Sequence, residues 1–140
     1  MRVAAAFLAN AAEEKGGQVY VLGGFWDTVN VPKGQPIGFR GTLVVRLLAS
    51  RVECGRNHLV ELRCLTEDGQ QVFDLSVNVN PQIPPEYPVG WEIPVTIVGG
   101  MSAPLPRLGL YSIAILADNA AVADLPFRVI EVPAVPTSPS

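Results

Sequence analysis

Lysine is nearly missing from this chain: Lys15 and Lys33 stand against eight arginines, and charged residues make up only 16% where roughly 25% is usual. With a net charge of −3 there is no global basic field to recruit nucleic acid or an anionic membrane. Arg40, Arg46, Arg51, Arg56 and Arg63 lie close together in sequence, but Glu53 and Glu61 interrupt them, so they are expected on solvated strand faces. No apolar run approaches the roughly 20 residues a membrane helix requires. Arg2 followed by Val3–Ala9 lies at the very bottom of the length and charge a secretory leader shows, and is expected to form an N-terminal strand.

Cysteine and histidine are equally sparse. Cys54 and Cys64 give neither a disulfide framework nor a metal-ligand spacing. Cys64 shares the inward register of its segment, while Cys54 falls in a turn, so a bridge between them would have to reach from loop to core. Free thiols fit a reducing compartment, and the cytoplasm is the expected location. His58 is the only histidine, which excludes a multi-histidine metal site and leaves this one residue for any Ser-His-Asp triad.

What the chain does have is alternation. Phe73, Leu75, Val77 and Val79 alternate with Asp74, Ser76, Asn78 and Asn80, as an antiparallel strand packed on one face requires. Val60, Leu62 and Cys64 alternate with Glu61 and Arg63 before it, and Glu67-Asp68-Gly69-Gln70 supplies the turn of a hairpin over 58–80. The pattern predicts further strands at Arg2–Ala9, Gln18–Leu22, Ile37–Ala49, Trp91–Ile97, Leu110–Ala117 and Leu125–Val132. Asn10–Gly17 reads as a polar connection. Gly23-Gly24 marks a bulge or close backbone approach, with Phe25–Val31 continuing as an extended segment. Pro81–Pro88 contains four prolines and cannot join a ladder centrally, and Pro94 assigns its strand to an edge or a bulge. Ala103–Leu108 reads as a proline-containing corner.

Roughly eight short strands with Pro/Gly corners specify an all-β, immunoglobulin-like Greek-key sandwich. Tyr111, opening a strand after Leu105 and Gly109, matches the tyrosine corner of such domains. A chain of 140 residues fits one domain, expected over 1–132, with 133–140 as a disordered Pro/Ser tail.

Three segments together resemble a family of uncharacterised bacterial proteins common in actinobacteria. They are Val19-Tyr20-Val21-Leu22-Gly23-Gly24-Phe25-Trp26 after the first strand, the central strand and hairpin ending in Glu67-Asp68-Gly69, and Gly109-Leu110-Tyr111 with Leu125-Pro126-Phe127-Arg128-Val129. The resemblance spans nearly the whole chain. It implies an intracellular sandwich and brings no catalytic residues.

No constellation of catalytic side chains emerges, so no enzymatic activity, cofactor, metal or small-molecule substrate is expected. A dyad of Cys54 with His58 lacks an oxyanion-hole signature. Asp118 and Asp124 flank the last hairpin loop with Asn119 but offer few oxygens for a hard cation, and Asp118-Asn119 fits a turn. Phe25, Trp26, Tyr87 and Trp91 form a candidate interaction patch, since such residues dominate interface hot spots, although Trp26 and Trp91 also suit core anchors. The expected function is a non-enzymatic protein-interaction or self-association module whose partner is a second copy or another protein. A structural component of a phage particle or other assembly is the alternative, and an enzyme using Cys54 and His58 the second.

Overall fold

Two-residue turns set the first and last hairpins. Gly16 and Gly17 both have positive φ (60° and 80°), as do Asp118 and Asn119 (49° and 68°), which is the mirror-image turn that matches strand twist. The computed structural model describes residues 1–134. Its nine strands are β1 (Arg2–Lys15), β2 (Gln18–Trp26), β3 (Thr28–Pro32), β4 (Gly38–Ala49), β5 (His58–Thr66), β6 (Gln71–Val79), β7 (Ile93–Pro104), β8 (Gly109–Ala117) and β9 (Ala120–Val132). A single 3-10 turn, Arg51–Glu53, lies between β4 and β5.

The strands form two sheets, ordered β2-β1-β4-β7 and β3-β9-β8-β5-β6. Their facing sides share one core, in which Leu8, Leu43, Val45 and Leu47 meet Val60, Leu62, Ile113 and Ile115. Phe39 is its aromatic hub, with ring centroids 5.9 Å from Trp26, 5.5 Å from Phe73 and 5.2 Å from Phe127. Tyr111 stacks on Phe127, and its hydroxyl donates to the Arg107 carbonyl at 2.5 Å while accepting from the Arg107 N–H at 3.3 Å. The expected tyrosine corner is therefore formed. Pro94 lies on β7, an edge strand, where a missing N–H breaks no ladder.

Several expectations change: β9 begins at Ala120 rather than Leu125, with Asp124 paired to Ala114, and β2 continues past Leu22 to Trp26. The described residues form nine strands rather than about eight, because Thr28–Pro32 leaves the first sheet at Asp27 and pairs parallel with β9. Asn10–Lys15 is not a connection but the second half of β1, zipped to β2 by the Gly16-Gly17 turn. β7 runs through Ala103-Pro104 and begins after Trp91, which is held in a turn by its N–H to the Pro88 carbonyl. The hairpin 58–80 is not uniformly central: β5 is flanked by β8 and β6, but β6 is an edge, and Phe73, Leu75 and Val77 are only half-buried. Arg51 is no solvated strand residue, since its guanidinium donates to the Tyr87 and Pro88 carbonyls and clamps the 81–91 loop. Of the expected tail, residues 135–140 lie outside the described residues.

Candidate functional site

β1 pairs with β4 only from Arg2 to Ala9, whereas it pairs with β2 from Leu8 to Lys15. Residues 10–23 therefore form a two-stranded ribbon that overhangs the sheet, with no third strand beside it among the described residues. Isolated two-stranded hairpins are marginal in water and gain stability when a further strand or an apolar face is added. Gln18–Trp26 carries no charge and no proline, and Tyr20 is 58% exposed, Leu22 71% and Phe25 79%.

The register explains how these side chains come together. Leu8 sits opposite Trp26 and Ala9 opposite Gly24, so Phe25 is an extra residue, forced outward by a bulge with its own φ at 64°. Its ring stacks on Phe7 at 4.2 Å with the outer side open to solvent. Trp26 turns the other way, into the sandwich against Phe39, over Gly41. A Cβ on Gly41 would stand 2.7 Å from the indole, so this position admits no side chain without displacing the ring. The Trp26 Nε1 is buried without a hydrogen-bond partner among the described residues. Beneath the ribbon, an open groove of about 450 Å³ is lined by Asn10, Gly23, Trp26, Val29 and Arg40.

The four residues expected to make one patch are split into two pairs at opposite edges of the first sheet. Phe25 and Trp26 belong to the β2 edge, and only Phe25 faces solvent. Tyr87 and Trp91 precede β7 at the other edge, edge to face at 5.7 Å, with Tyr87 half-buried and Trp91 62% exposed. Val52 and Val89, also exposed, extend the apolar surface available near this loop. Sequence reasoning passed over Tyr20 and Leu22. The signal was present in Gln18-Val19-Tyr20-Val21-Leu22, a strand with no charge on either parity.

His58 opens β5 and is 3% exposed. Its Nδ1 lies 2.5 Å from the Asp118 carboxylate and its Nε2 lies 2.5 Å from the Glu53 carbonyl oxygen. Both partners are acceptors, so the imidazolium, with two N–H donors, is the form that satisfies both. The Asp118 hydrogen bond leads in raising the His58 pKa, the Glu53 carbonyl adds to it, and burial opposes both. Asp118 is held low by His58 and by the Leu59 N–H. For Glu53, burial pushes upward, but the N-terminal ammonium at 2.6 Å and Ser50 together hold the carboxyl below its ordinary value. Asp118 thus closes a turn and anchors β5.

The Cys54 Sγ contacts the Ser50 carbonyl at 3.4 Å, and both histidine nitrogens are engaged elsewhere, so the two side chains are not assembled as a dyad. Both cysteines are free, and burial pushes the Cys64 thiol up to about 12. Among the described residues, no group of three or more His, Cys, Asp or Glu converges as a metal site, and no helix is long and apolar enough to cross a membrane.

These features define an all-β, two-sheet protein with a ribbon at one edge whose outer strand, β2, is apolar. Residues 4–130 match the model of a family described as a family of unknown function (DUF6941), and the chain belongs to that family. No curated protein and no solved structure matches it.

Proposed function

We propose that the protein is a non-enzymatic self-association or protein-docking module whose contact surface is the β1–β2 ribbon. The observation that carries this reading is the overhang: a two-stranded ribbon exposing Tyr20, Leu22 and Phe25 where no third strand among the described residues covers it. Such a surface is stabilised when another chain removes it from water at roughly 25 cal/mol per Å² of apolar area. Lysine, the common guard of sheet edges, appears in this ribbon only as Lys15 beside the turn. The immunoglobulin-like assignment rests on the Tyr111 corner, and a cytoplasmic, bacterial setting on the unpaired cysteines and the family resemblance.

A second reading, a structural subunit of a larger assembly, draws on the separate apolar surface at Val52, Val89 and Trp91. Two unlike contact surfaces on one chain build rings or filaments, whereas one self-complementary surface stops at a dimer. Light scattering across a micromolar concentration series separates them. The ribbon reading expects a mass above the 14.9 kDa of one chain, reduced by Tyr20→Lys with Leu22→Lys. A large regular species lost instead on Trp91→Ser favours the assembly subunit. A wild-type mass that stays at one chain throughout rejects self-association.

A further inference from the structure

We infer that the ribbon's occupant is a second copy of this chain, paired antiparallel through β2 about a two-fold axis at Tyr20. The inference rests on the self-association reading above and specifies its geometry. Lys15 and Gln18 flank a two-residue turn and face each other, so they form a hydrogen-bonded pair, and the pairs alternate along the ribbon from there. Gln18, Tyr20 and Leu22 therefore spend their backbone groups on β1. Val19 and Val21 aim theirs outward, along the free edge of the sheet.

That edge is self-complementary. Centring a two-fold on Tyr20 places Val19 against Val21 of the second copy in the hydrogen-bonding position, and Val21 against its Val19, which closes four backbone hydrogen bonds. Tyr20 then meets Tyr20 in the non-hydrogen-bonded position, where side chains come closest, and Gln18 meets Leu22. No charged residue enters the seam. The axis falls at the middle of the pairable segment, which the Gly16-Gly17 turn bounds on one side and Gly23, with φ of 59°, on the other.

The remaining edges suit this role less well. β7 carries Pro94 and Pro104, β3 is five residues long and ends in Pro32, and β6 directs Asp74, Ser76 and Asn78 outward. Joining two ribbons edge to edge turns two marginal two-stranded units into one four-stranded sheet. The area buried by five paired residues falls below the roughly 800 Å² per partner of a standard complex, so the dimer is expected to be reversible in the micromolar range.

The test is a charge swap at the axis. Tyr20→Lys places ammonium groups face to face and Tyr20→Glu places carboxylates so, and each alone is expected to weaken dimerisation by at least about tenfold. An equal mixture of the two is expected to restore a dimer containing one of each, because only at the axis does a residue oppose its own counterpart. Circular dichroism of each variant controls for folding. As a second arm, Tyr20→Cys in a Cys54→Ser background is expected to give a crosslinked dimer under mild oxidation, with Cys64 left buried. Wild-type dimers that survive both charge variants, or variants whose mixture does not re-pair, overturn the two-fold at Tyr20 and leave the self-association reading standing. Wild-type protein that is monomeric at every concentration overturns both.

Discussion

His58 and Asp118 lie 2.5 Å apart at the rim of the sandwich and tie the start of β5 to the last hairpin turn. Because Nε2 of the same ring faces the Glu53 carbonyl, losing a proton turns one nitrogen lone pair toward an oxygen acceptor. The folded pKa of His58 is raised, so its contribution to stability is fully present below the unfolded value near 6.5. It is lost as pH rises through the folded value. Asp118 works with the opposite sign: its pKa is lowered, and its contribution is lost as pH falls through the folded value. Nearby Arg56 opposes the imidazolium and narrows the effect. Urea midpoints are expected to decline from mildly acidic to alkaline pH in the wild type, with a flatter decline in His58→Gln. Parallel profiles for the two proteins would show that the ring does not carry the charge assigned to it.

Position in the sheet, more than hydrophobicity, sets the loss on truncating a leucine of the central hairpin. Leu62, fully buried on β5 between two strands, is expected to lose about 2–5 kcal/mol on Leu62→Ala. Leu75→Ala on the β6 edge removes a half-buried side chain that touches the bare backbone of Gly99, and is expected to lose roughly 1–2 kcal/mol. Equal losses in urea melts would contradict the edge placement of β6.

The tyrosine corner has its own signature. Tyr111→Phe keeps the ring stacked on Phe127 but leaves both backbone groups of Arg107 without the hydroxyl, for an expected loss of about 1–3 kcal/mol. A neutral substitution would show that water replaces the phenol at no penalty, and would remove the corner from what holds β8 in place.

The parts of this fold that were legible in sequence are those with one buried face. β4, β5, β6 and β8 alternate because a core stands on one side of them, and their boundaries follow. The ribbon has no such side. Glu13, Glu14 and Lys15 resemble a loop because nothing apolar forces them into register, and the pairing with β2 comes from turn geometry instead. β3 was illegible for another reason: its parallel partner β9 lies at the far end of the chain, and no local pattern in Thr28–Pro32 encodes a change of sheet. At the candidate site, Phe25 and Trp26 are adjacent in sequence yet face opposite ways, because one bulge separates them. Alternation alone could not assign them.

The central claim is that the free edge of β2 is covered by another copy, and amide hydrogen exchange at Val19 and Val21 addresses it most directly. In an unpartnered ribbon these two amides face water, while those of Tyr20 and Leu22 are bonded to β1. Raising the protein concentration is expected to slow exchange at Val19 and Val21 strongly, with Val89 and Trp91 unchanged. Exchange at Val19 and Val21 that is fast and independent of concentration, or protection that develops around Trp91 instead, would contradict the account.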